Sequence, residues 1–271
     1  MCIQEAKSCS IWIVFLMMLN CNVAAQPIVI LNANESPPYW TQSSVEGGLG
    51  AELIQAISEV AGLETRIKFA PLQRMIDDDS NNDLGNPEFY LPKQEFAAVI
   101  PIAVSQIALF YYRPHHSTRF DFKSIEELKP YKIGVLKGTL IDRHAFEQMG
   151  IHFESSYAQA SLFKKLKLGR LDLVFEIDLV GQQIINKVYP DQIANFAREP
   201  LPNSSSPIAI MLDAHVPDVQ TIAARYRAGL AHIIQSGRYQ QIVRKYYPDA
   251  QIPEHWFEEL QHFQKMYAFD L

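Results

Sequence analysis

The alternation of short apolar segments with segments of helical period constrains this chain most. Residues 28–31 (IVIL) read as a buried strand. Gly47, Gly48 and Gly50 then precede a helix whose apolar set is Leu53, Ile57 and Val60, with Ile54 and Ala61 beside them and Gly62 as its stop. A strand over 65–69, a helix start over 71–76 and a polar loop over 77–86 follow. Residues 96–112, rich in β-branched and aromatic types, read as strand, break at Pro101, strand. Strand and helix alternate again through about Phe196, after a capping box over 124–127 (Ser-Ile-Glu-Glu). Such alternation implies an α/β fold with mainly parallel sheets flanked by helices.

Two stretches interrupt the series, residues 113–118 and the Pro- and Ser-rich 200–207. Both read as crossings between lobes, followed by a strand at 208–212 and an amphipathic helix at 219–234. The expected organisation is a leader over 1–25, one lobe from 26–113 plus 208–271, and a second from 118–204. Two crossings make a hinge. Ligands of open α/β sheets sit beyond the C-terminal ends of strands, so two facing sheet edges form a cleft that closes on its ligand.

The segment 131–150, YKIGVLKGTLIDRHAFEQMG, carries the most functional information. It reads as strand, Lys-Gly-Thr, then a helix stopping at Gly150. Gly138 permits close backbone approach, and Thr139 either caps the helix or offers its hydroxyl to a ligand. Free N–H groups at such a start favour an anion. An ordinary strand-to-helix turn reads the same way. About thirty residues on, GRLDLVFEID is a strand ending in acidic residues. An anion site at one strand end and a cation site at the next suit a small zwitterion.

This pair of segments resembles the second lobe of the family 3 extracellular solute-binding proteins, periplasmic receptors for amino acids and related solutes that serve ABC transporters. NESPPYW followed by GGLGAELIQAISEVAG resembles the family's aromatic loop and first helix. The stretch PLPNSSSPIAI through SGRYQQIVRKYYP resembles its return to the first lobe and its closing helices, with SGRYQQIVRKYYP the most specific match. The resemblance implies a two-lobed periplasmic-binding-protein-like fold (type II) and a small polar solute held between the lobes.

It also implies site residues. Tyr39 and Trp40, after a proline pair, match the aromatic at the cleft; Arg74, in FAPLQRM, matches an arginine able to pair a carboxylate. Packing of the loop onto the lobe is the alternative for the two aromatics, and a surface or inter-helix ion pair is the alternative for Arg74. The family's ammonium-binding carboxylate stands five residues after the aspartate matching Asp172, which here is Ile177. Glu176 and Asp178 flank it on the opposite strand face, and Asp178 is preferred as nearest the strand end. The stretch PEFYLPKQEFAAVIPIA matches the family's Thr-x-x-Arg element with Leu91 and Gln94 in the two key positions. Gln94 brings no charge to a ligand carboxylate, so standard amino acids are expected to bind weakly and another polar or cationic solute better.

Residues 10–19, SIWIVFLMML, are too short to span a bilayer, and Val23-Ala24-Ala25 fits a cleavage site, giving a secreted periplasmic product from Gln26. A retained membrane anchor is one alternative and lipidation at Cys21 a third option, ranked below simple cleavage. All three cysteines, Cys2, Cys9 and Cys21, lie in this leader, so cleavage leaves no disulfide or thiol site. A net charge of −6 with no basic stripe argues against nucleic acid. His115-His116 and the pair His144 and His152 lack metal-ligand spacing, and no cofactor is expected. The expected partners are a small polar solute and a membrane permease or receptor, with the protein itself a monomer. An enzyme on the same fold needs a placed acid or base such as Glu176 or Glu52, and no second partner stands at a recognisable spacing. A sensory module for a membrane receptor is the other alternative.

Overall fold

The computed structural model describes residues 28–78, 81–116, 120–137, 143–247, 252–253 and 255–268. Among them the strands are β1 (Ile28–Ala33), β2 (Glu64–Phe69), β3 (Asp83–Gly85), β4 (Phe96–Tyr112), β5 (Ile133–Leu136), β6 (Phe153–Ser156), β7 (Leu173–Ile177) and β8 (Phe196–Asp213). The helices are α1 (Leu49–Ala61), α2 (Leu72–Asp77), α3 (Arg143–Gln148), α4 (Gln159–Lys167), α5 (Asp178–Val188), α6 (Val219–Gln235), α7 (Arg238–Arg244) and α8 (Trp256–Met266).

The strands form one ladder in the order β2-β1-β3-β8-β4-β7-β5-β6. Pairing is parallel within β2-β1-β3 and within β7-β5-β6, and antiparallel wherever β4 or β8 takes part. β4 and β8, 17 and 18 residues long, are the spine that joins two α/β halves. β3 meets β8 at residues 209–211, and β7 meets β4 at residues 107–110.

Packing changes along this spine. Ile100, Ile102, Ala103 and Val104 belong to a large core with α1, α6, α7 and α8. Beyond Gln106, Ala108, Phe110 and Tyr112 face one core of the second half, and Leu109 and Tyr111 face another on the opposite side of the sheet. The change of core partner thus falls between Val104 and Ala108, close to register shifts at Pro101/Ala103 and Gln106/Ala108. One crossing was expected near 113–118. There the described residues hold a 3-10 helix, Arg113–His115, whose His115 ring contacts Tyr112 of the second half; residues 117–119 lie outside the described set. The stretch 200–207, read as the return crossing, is the middle of β8, with Ser205 and Ser206 opposite Gln106 and Ser105.

Other differences have local causes. Pro101 does not break β4: it pairs with Ala209 beside a register shift at Pro101/Ala103, the kind of irregularity at which strands tolerate proline. Ile28 and Ile30 are about half exposed, because β1 is covered there on one face only. Val60 points outward, while Leu49 and Ala56 complete the buried stripe of α1, and Gly62 ends that helix at φ 63°. The capping box opens a 3-10 turn, Ile125–Leu128, rather than an α-helix, and Glu127 accepts the Lys123 N–H at 3.4 Å. β3, read as loop, is a buried three-residue strand. α8 docks through Trp256, whose Nε1 donates to Tyr239 Oη (3.0 Å), which donates to the Ile102 carbonyl (2.9 Å).

Candidate functional site

The loop after β1 is fixed by the start of α1. Gly48, at φ 101°, lets the chain come so close that an added Cβ would lie 2.5 Å from the Pro38 carbonyl oxygen. The Leu49 and Gly50 N–H groups donate to the Pro38 and Tyr39 carbonyls at 2.8 and 2.7 Å. Two of the N–H groups that open a helix are therefore satisfied by the loop itself. The result drives Tyr39 and Trp40 into the first core, 2% and 3% exposed, their rings 5.9 Å apart. Neither Tyr39 Oη nor Trp40 Nε1 has a hydrogen-bond partner among the described residues.

Across from this loop is the end of β7. Asp172 pins the strand's start, its Oδ2 accepting the Lys132 N–H at 2.8 Å. Glu176 is buried and accepts from Gln159 Nε2 of α4 (2.9 Å) and from the Ile177 N–H (2.8 Å). Both partners are neutral. Burial pushes the Glu176 carboxyl up to about 7, with these two hydrogen bonds pulling the other way. Asp178 opens α5, and its Oδ1 stands 2.5 Å from Arg198 Nε in an ion pair. Arg198 also donates through one terminal nitrogen to Gln182 Oε1 at 2.6 Å. Burial raises the Asp178 carboxyl and Arg198 opposes it.

These elements meet across the seam between the halves. Burial pushes the Tyr39 phenol far up, and the charges of Asp178 and then Glu176 add to it. Tyr247 behaves alike, raised first by burial and then by Tyr39 and Asp178. Leu179 and Val180, in the first turn of α5, pack into the first half's core, so the seam is sealed. Both Tyr39 and Asp178 stand just past the C-terminal ends of parallel strands, where α/β sheets place ligands.

The structure thus brings together Tyr39, Trp40, Glu176 and Asp178. It does not bring Gln94 with them. The Gln94 side-chain amide donates to the carbonyls of Met75 (2.7 Å), Ile76 (3.1 Å) and Asp78 (2.9 Å), closing the C-terminal end of α2. That use of its donors replaces the expected ligand role. Met75 packs on the opposite face of the sheet from Tyr39, with Tyr90, Val99, Ala209 and Met211. Arg74, on the same helix, is exposed. Gly138 and Thr139 lie outside the described residues.

Gln159, Arg198 and Tyr247 escaped sequence reading. Arg198 stands twenty residues from its carboxylate in an ordinary FAREP stretch, and no motif marks it. Glu52 is engaged elsewhere, accepting from Tyr246 Oη and Lys245 Nζ, both at 2.5 Å. Among the described residues no group of three or more His, Cys, Asp or Glu is placed to hold a metal, and no helix is long and apolar enough to cross a membrane.

No family model matches the chain, and no curated protein matches it in sequence. Solved structures do match in shape. A histidine kinase sensor domain with similarity to periplasmic binding proteins aligns at TM-score 0.60 and 19% identity, over 81% of this chain and 95% of that one. An ancestral arginine-binding protein bound to arginine aligns at 0.58 and 19%, over 82% and 99%. The arginine-, lysine-, histidine-binding protein ArtJ from Geobacillus stearothermophilus aligns at 0.57 and 17%, over 87% and 100%. Identities this low speak to fold, and the fold is the periplasmic-binding-protein-like one, a mixed α/β architecture with its sheet flanked by helices.

Proposed function

We propose that this protein is a solute-binding module that holds a small polar solute, cationic at one end, at the seam between its halves. The observation that carries this reading is the pairing of Tyr39 and Trp40, buried donors without hydrogen-bond partners among the described residues, with Glu176, a buried carboxylate whose partners among those residues are neutral. Buried polar groups left so are costly, and a ligand with a cation and an acceptor relieves both. Glu176 takes the cationic end, ahead of Asp178, because Arg198 already neutralises Asp178. Tyr39 and Trp40 supply donors and ring faces. Gly138 and Thr139 remain the proposed anion end.

The halves must part to admit the solute. The hinge is the stretch where β4 and β8 change core partners, near residues 104–108 and the facing 204–206. The short apolar run followed by Val23-Ala24-Ala25 supports cleavage after Ala25 and a periplasmic product. The shape likeness to transporter-linked amino-acid-binding proteins supports delivery to a permease. The likeness to a kinase sensor domain supports a second reading, in which a membrane receptor is the partner. Binding without turnover is the activity in both.

A thermal-shift screen against amines, amino acids, dicarboxylates and sugars tests the reading. A true ligand at one hundred times its dissociation constant adds about 2.7 kcal/mol. Cationic solutes should give the largest shifts, and their affinity should rise as pH passes upward through about 7, where Glu176 ionises. Cations that produce no shift, or a shift that survives Glu176→Gln unchanged, would overturn it.

A further inference from the structure

A cavity of about 610 Å³ opens between α5, the start of β8 and the segment after α7. Its volume falls within the roughly 300–1,000 Å³ of small-molecule sites. It shares Asp178, Gln182, Arg198 and Tyr247 with the seam and adds Phe110, Arg113, Ile193 and Phe196 of the second half. Among the described lining residues the charges are Arg113, Arg198 and Asp178, two guanidinium groups to one carboxylate. Arg198 is held in place by Asp178 and Gln182. Arg113 is exposed, with no ion-pair partner among the described residues. The apolar side comes from Phe110 and Phe196, both buried in the second half's core, with Ile193 at the rim, 40% exposed.

That combination selects a chemical class. A guanidinium offers paired N–H donors that match a carboxylate in the plane, and aromatic walls favour a flat apolar body. The excess of guanidinium groups among the described lining residues disfavours a cation, and a small inorganic anion leaves the aromatic side uncovered. We propose that this cavity is a second ligand site, which takes a small aromatic carboxylate with its carboxylate toward Arg113 and Arg198 and its ring against Phe110 and Phe196.

Isothermal titration of the purified protein with phenylacetate tests this, with phenylacetamide as the uncharged isostere. Phenylacetate should bind saturably, at least about tenfold more tightly than the amide, since loss of the charge removes the guanidinium interaction. Arg113→Gln should weaken phenylacetate at least about fivefold. Ile193→Glu sets a like charge at the rim and should abolish binding. Both positions are exposed, so the variants should melt with the parent protein, which circular dichroism checks. Absence of phenylacetate binding, equal binding of acid and amide, or unchanged affinity in both variants would each overturn the site.

Discussion

The molecule contains two buried tyrosine–carboxylate neighbourhoods that look alike electrostatically and differ in place. In one, Tyr90 stands beside Asp83 of β3. In the other, Tyr39 stands beside Glu176 and Asp178. Both phenols are buried without a hydrogen-bond partner among the described residues, and both are pushed up by burial first and a carboxylate second. Asp83 and Glu176 each rise to about 7, mainly through burial. Asp78 and Asp213 add to the rise at Asp83, and Asn32 opposes it. Yet Asp83 and Tyr90 lie inside one half, whereas Tyr39 and Glu176 come from different halves and meet only at the seam. A shifted carboxyl alone does not mark a binding site. What distinguishes the second is that its members come from different halves, so the proposed parting of the halves would open it.

Tyr39→Ala removes a buried ring shared by both halves and should cost about 3–5 kcal/mol in chemical denaturation. Tyr39→Phe should be neutral or stabilising, because it removes a buried hydroxyl without a partner, and should still weaken ligand binding. If Tyr39→Phe is as damaging as Tyr39→Ala, the hydroxyl is satisfied and the seam reading loses its main support.

The pH dependence comes next in size. Glu176 has a folded pKa raised above its usual 4.5, so the folded state holds the proton more tightly than the unfolded one. Stability contributed by the protonated group is present below about 4.5 and is lost as pH rises to about 7. The full difference is on the order of 3 kcal/mol at most. Asp83 acts in the same direction from 3.8 to about 7. Melting curves across this window should flatten in Glu176→Gln and in Asp83→Asn alike. Ligand affinity should separate them, changing in the first and not in the second. A binding loss in Asp83→Asn equal to that in Glu176→Gln would erase the distinction between the two regions.

Gly181→Ala probes the support of α5. An added Cβ would lie 2.3 Å from the Phe110 ring, so overpacking should cost about 1–3 kcal/mol and displace Asp178. Arg74→Ala should have the smallest effect, within about 0.5 kcal/mol and without change in affinity, since the side chain is exposed. A large affinity loss there would return Arg74 to the site and show that the halves rearrange more on binding than a simple parting at the seam.

The sequence was legible where a pattern is local. The period of α1 and its glycine stop, the strand–turn–helix alternation of the second half, and the acidic end of β7 all rest on neighbours in the chain. Reading failed where the cause lies far away. β3 is only Asp-Leu-Gly and becomes a strand because β1 and β8 supply partners on both sides. Pro101 suggested a break, but β8 carries β4 through it across a bulge. Gln94 matched a ligand position by alignment of residues, while the open carbonyls at the end of α2 gave its amide a nearer task.

The α/β class and the alternation of elements were legible in the chain, since they depend on periodicity and on turns a few residues long. Which carboxylate meets a cation among the described residues is set by the tertiary structure. Asp178 and Glu176 differ by two positions and look interchangeable in the chain. Arg198, brought over by β8, neutralises one, and burial beside neutral partners leaves the other poised near 7. Charge pairing and desolvation act through space, so they are settled by which strands meet.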